Sequence, residues 1–64
     1  IKFKGDVYVG LKISKWLTDS GLVNDSDYKW FQWFEQDYKN DTYHYICFEF
    51  QDPKWESMTM LRWS

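Results

Sequence analysis

Alanine is absent from this 64-residue chain, and cysteine, proline, histidine and arginine each occur once. With Cys47 as the only thiol there can be no internal disulfide, and with His44 as the only imidazole there is no Cys/His set for structural zinc. The staples that hold most very small domains are missing, so the fold must rest on packing. No apolar run approaches the ~18 residues of a membrane span, and no charged region leads into an apolar leader core, so neither a membrane partner nor a signal peptide is expected. A single cysteine suits a reducing compartment, which makes a cytoplasmic location the expectation. The glycine-rich phosphate loops, the EF-hand loop, HExxH and CxxC are all absent, and no cofactor or metal is expected.

What the chain does have is rings. Five Trp, five Tyr and five Phe make 23% of it aromatic, and each such ring can bury ~150–250 Å². Composition this aromatic lies far from that of disordered chains. At this length one core is all that can form, giving a single domain over residues 1–64. The formal net charge of −2 supplies neither a strong basic field for duplex nucleic acid nor the strong acidic field of a nucleic-acid mimic.

Along the chain, Ile1-Lys2-Phe3-Lys4 alternates apolar and basic residues, and Val7-Tyr8-Val9 resumes a β-rich run after Gly5-Asp6, which reads as one kinked strand or a short hairpin ending at Gly10. Ile13, Trp16 and Leu17 stand at helical spacing, and Gly21 sits where a glycine would stop that helix. Cap residues Asn24-Asp25-Ser26, the early acid Asp27 and the late Lys39-Asn40 predict a second helix over residues 26–39. A strand competes for the same segment, because Tyr28 to Phe34 is almost wholly aromatic or apolar-stemmed. From Thr42 to Phe50 the β pattern is the strongest in the chain, with His44, Ile46, Phe48 and Phe50 on one face and Tyr43, Tyr45, Cys47 and Glu49 on the other. After a turn at Asp52-Pro53, residues 55–63 read as its antiparallel partner, with Ile46 facing Leu61 or Met60 according to loop length. The predicted fold is thus α+β, a small single domain whose antiparallel β-sheet, an N-terminal strand or hairpin plus a C-terminal hairpin, packs against two helices.

Catalytic chemistry needs convergent groups, and few are in view. His44 and Cys47, three apart on one strand, project to opposite faces and cannot pair directly. Glu35 with Asp37, or Glu49 with Glu56, would be candidate carboxylate pairs for acid–base work, but two residues on a helix point about 200° apart, and the second pair flanks a turn. Asp25-Ser26-Asp27 lacks the glycine and terminal glutamate of a calcium loop and reads as a cap. Asn24-Asp25-Ser26 and Asn40-Asp41-Thr42 fit the glycosylation triplet, which matters only in a secreted chain. The expectation is that this chain is not an enzyme.

The surplus of rings remains. A core of this size holds roughly eight to ten large side chains, and fifteen aromatics compete for it together with the aliphatic residues, so some rings are exposed. Exposed Trp and Tyr are typical of interface hot spots. The expectation is a non-catalytic protein-interaction module, a self-associating dimer or a small inhibitor of a host or partner protein, that docks through Trp30, Trp33, Tyr43, Tyr45, Trp55 and Trp63. Small, alanine-free, slightly acidic chains of this kind are similar in style to viral accessory proteins that inhibit host factors, although no residue motif carries the likeness. Asp25, Asp27, Glu35, Asp37 and Asp41, gathered along the second helix, would steer such a module to a basic target. The alternative is a single-stranded nucleic-acid-binding domain in which Tyr43, Tyr45 and Trp63 stack bases while Lys2, Lys4, Lys12, Lys15 and Arg62 contact phosphates.

Overall fold

A three-residue strand that carries Phe3 opens the structure, a computed structural model that describes residues 1–63. The element order is β1 (Lys2–Lys4), α1 (Val7–Asp19), β2 (Tyr28–Gln36), β3 (Thr42–Phe50) and α2 (Pro53–Trp63). The strands make one antiparallel sheet in the order β1-β3-β2, so the α+β class is as expected while several elements fall elsewhere.

Val7-Tyr8-Val9 is helical, not a strand, and Gly10 lies inside α1. The cause is Asp6, which acts as an N-cap: its carboxylate accepts the Tyr8 N–H at 3.1 Å, and the helical spacing of Gly10, Ile13 and Leu17 extends back to it. The far end closes as foreseen. Gly21 takes φ +96°, its N–H reaches Thr18 O at 3.0 Å, and the Leu22 N–H reaches Leu17 O at 3.1 Å. This is a Schellman closure in which the buried Leu22 also packs near the buried Leu17.

The helix predicted over 26–39 does not form; its core is β2. The local acids cap turns instead, since Asp27 Oδ2 accepts the Val23 N–H at 2.7 Å and Asp37 Oδ1 accepts the N–H groups of Lys39 and Asp41. Aromatics at nearly every position overfill a helical stripe but suit a pleat with rings on both faces. β2 and β3 pair over nine residues each, from Tyr28 opposite Phe50 to Gln36 opposite Thr42. The predicted C-terminal hairpin is likewise replaced. Ile46 faces Gln32 and Phe3, and residues 53–63 are α2. Asp52 caps that helix by accepting the Lys54 N–H at 3.0 Å, and Pro53 fills its first position, where a missing N–H costs nothing.

Alternation along the strands sends Phe3, Tyr28, Ile46 and Phe48 to one face, where they meet Ile13, Leu17 and Leu22 in a single core. Both helices cover this inner face. Phe48 lies at its centre, edge-on to Phe3 with ring centroids 6.2 Å apart and stacked against Tyr28 and Trp30. Each such side chain, fully buried, contributes ~1.5–3 kcal/mol. The helices cover only the proximal part of the hairpin, and from Phe31 to Gln36 and from Thr42 to His44 every residue is exposed. The molecule is accordingly elongated, 42 Å by 19 Å by 19 Å.

Candidate functional site

The register divides the proposed rings between two surfaces. Odd-numbered residues of β2 and β3 point away from the helices, which places Phe31 opposite Cys47, Trp33 opposite Tyr45, Glu35 opposite Tyr43 and Lys29 opposite Glu49. β1 continues the same outer face with Lys2 beside Cys47 and Lys4 beside Tyr45. No described helix covers this face. Phe31 is 44% exposed, Trp33 49% and Tyr43 37%, so Phe31, Trp33, Tyr43 and Tyr45 form a contiguous aromatic strip. The Lys2 ammonium lies 5.4 Å from the Tyr45 ring centroid, and that of Lys4 lies 5.5 Å from the Tyr43 ring. Both are cation–π contacts on the rim of the strip.

One polar network crosses it. Lys2 Nζ donates to Glu35 Oε1 at 2.9 Å, and the same oxygen accepts the Trp33 indole N–H at 3.3 Å. The hydrogen bond from Lys2, then that from Trp33, then the charge of Lys2, hold the Glu35 carboxyl below the usual carboxylate range. The hydrogen bond and then the charge of Glu35 raise the Lys2 ammonium above its ordinary value. At the hairpin tip, Tyr43 Oη donates to Asp37 Oδ2 at 3.2 Å and ties its ring to the loop.

The other proposed rings lie elsewhere. Trp30 points to the inner face, half-buried, stacked on Phe48 with centroids 5.8 Å apart. Trp55 and Trp63 belong to α2 and meet Trp16 of α1 edge-on, with centroids at 6.0 and 6.3 Å, so they join the helices to each other. Trp63 and Arg62 are therefore separated from Tyr43 and Tyr45 by the thickness of the sheet. Of the six rings proposed as one patch, the structure brings together Trp33, Tyr43 and Tyr45, and it adds Phe31. Odd spacing of Phe31, Trp33 and Glu35 was the signal that could have found it. The acids do not form one field either. Asp25 and Asp27 stand at one end of β2, and Glu35, Asp37 and Asp41 stand roughly 25–30 Å away at the other.

The chain matches no family model, no curated protein and no solved structure. One cleft, about 340 Å³, is lined by Ser20, Gly21, Leu22, Asp27, Gln51, Asp52 and Trp55. Its two carboxylates are already engaged in capping Val23 and Lys54. His44 lines a smaller cleft of about 160 Å³ on the inner face, while Cys47 is buried on the outer face. Among the described residues no three of the His, Cys, Asp and Glu side chains converge as a metal site. No described helix is long and apolar enough to cross a membrane.

Proposed function

We propose that this chain is a non-catalytic interaction module whose outer sheet face, Phe31, Trp33, Tyr43 and Tyr45, docks onto a protein partner and occludes that partner's working surface. The observation that carries this reading is the exposure of Phe31 and Trp33 side by side on a sheet face that the helices leave uncovered. Isolated exposed apolars are ordinary, but adjoining large rings on one open face are typical of hot spots, since they dock with little loss of side-chain entropy. The Lys2–Glu35 pair that crosses the strip would supply specificity at small net cost.

A second reading is supported by Lys2 and Lys4, whose ammonium groups lie along the tyrosine rings as phosphate contacts would beside stacked bases. One experiment separates the two. Wild type and Trp33→Ser, both checked for fold, are used as bait for soluble proteins and titrated with single-stranded oligonucleotides at low and high salt. Capture of a partner that survives high salt and is lost with Trp33→Ser supports the protein-binding reading. Tight oligonucleotide binding that falls steeply with salt would replace it with the second. A module that captures nothing and binds no oligonucleotide would count against both.

A further inference from the structure

Beyond Tyr28, β2 is an edge strand, and it is the long edge of the sheet, since the opposite edge is the three-residue β1. Which of its backbone groups face outward follows from neighbouring bonds. The Asp25 N–H reaches Tyr28 O at 2.7 Å on the outer side of β2, and the Gln51 N–H reaches Asp27 O at 3.1 Å on the β3 side. Antiparallel alternation then turns the N–H and C=O groups of Trp30, Gln32, Phe34 and Gln36 away from β3. Among the described residues these groups have no hydrogen-bond partner within the chain. The loop at Asn24 and Asp25 closes only the beginning of the edge, at Tyr28.

We propose that this edge pairs with the same edge of a second copy, antiparallel about a two-fold axis through Gln32, to make a continuous six-stranded sheet. The side chains choose the register. With Gln32 opposite its own symmetry mate, Lys29 comes beside Glu35 of the other copy, Phe31 opposite Trp33, and Trp30 opposite Phe34, twice each by symmetry. Shifting the axis to Trp33 sets Phe31 opposite Glu35, and shifting it to Phe31 sets Asp27 opposite Glu35. The first of those registers replaces the two Phe31–Trp33 pairs with ring–carboxylate contacts, and the second sets two carboxylates face to face. The paired run, Trp30 to Phe34 on each chain, forms about six inter-chain backbone hydrogen bonds before the loop at Asp25 stops it.

The need for a partner strand is visible in the monomer. Beyond the short β1 the hairpin is only two strands wide, a form that is marginal in water by itself, yet it presents rings on both faces, with Phe34 67% exposed. The edge also lacks the usual protections. Between Trp30 and Phe34 it has no proline, no lysine and no irregularity in its pairing with β3. The pairing uses the strand edge and not the outer face, so it stands apart from the proposed docking function. It would join two aromatic strips into one.

The test is sedimentation equilibrium over a wide concentration range together with isotope-filtered NMR on a mixture of labelled and unlabelled chains. The expected results are a mass that rises to twice 8.0 kDa and inter-chain contacts between the Phe31 and Trp33 α-protons, which face each other closely only in this register. Gln32→Pro, which removes an outward N–H at an edge where proline is tolerated, should leave circular dichroism unchanged and weaken dimerisation at least tenfold. A chain that stays monomeric at NMR concentrations overturns the proposal, as do inter-chain contacts that map to the outer face or to α2. Because the NMR readout uses the unmutated chain, it decides the matter even if Gln32→Pro fails to fold.

Discussion

The indole of Trp30 lies against Gly10 where α1 crosses β2. A Cβ on Gly10 would stand 2.7 Å from Trp30 Cε3 and closer still to Cζ3. The missing side chain lets the helix approach the sheet closely enough for Ile13 and Leu17 to reach the core. Gly→Ala inside a helix normally stabilises by roughly 0.4–1 kcal/mol through the unfolded state. Here Gly10→Ala is expected to destabilise by about 1–3 kcal/mol, the ordinary cost of overpacking, because the obstruction is a ring itself stacked on Phe48. Urea unfolding measures it, and adding Trp30→Leu should return part of the loss.

Trp33 and Trp63 should part company on substitution. Trp33→Ser removes a half-exposed ring from the outer face, and unfolding should change by less than about 1 kcal/mol while partner capture falls. Trp63→Ser removes a ring packed on Trp16 and should cost about 3 kcal/mol or more in urea unfolding, since it opens the junction between the helices.

Asn40 holds the hairpin tip in the left-handed region at φ +63°, with its N–H donating to Asp37 O at 3.1 Å. Asparagine visits that region readily and β-branched residues do not. Asn40→Val should therefore cost about 1–2 kcal/mol, while Asn40→Gly should be neutral within about 0.5 kcal/mol. Thermal unfolding of the two variants side by side provides the check.

The Lys2–Glu35–Trp33 network has a defined pH window. Glu35 has its folded value depressed, so its contribution is complete above the ordinary carboxylate range and is lost as pH falls through that lowered value. Lys2 has its value raised, so its contribution is complete below the ordinary lysine value and is lost as pH rises through the raised one. The bridge is intact across neutral pH and opens on the acid side first. The Trp33 indole N–H resonance should report the acid step, and Glu35→Gln should abolish it without moving the urea midpoint, since both side chains are about half exposed and screened. An acid step that persists in Glu35→Gln would assign it to another carboxylate.

Much of the fold was legible in local sequence. The strand at 42–50, the helix stop at Gly21 and the α+β class follow from alternation, from a glycine free of Cβ strain, and from the length available to one core. The cap at Asp52-Pro53 and the spacing of Trp55, Thr59 and Trp63 were also in the sequence, but alternating apolar residues elsewhere in that stretch matched a strand equally well. For residues 28–36 no local pattern could decide, because rings stand at both parities and satisfy neither a helical stripe nor a one-sided pleat.

By itself the sequence determined that this protein has no internal disulfide and more rings than one small core can hold. Only the tertiary structure decided which rings are surplus. Pairing of β2 with β3 fixes the parity of every side chain at once, turning Trp30 under α1 and Phe31 with Trp33 to the open face, because neighbours along a strand must point in opposite directions.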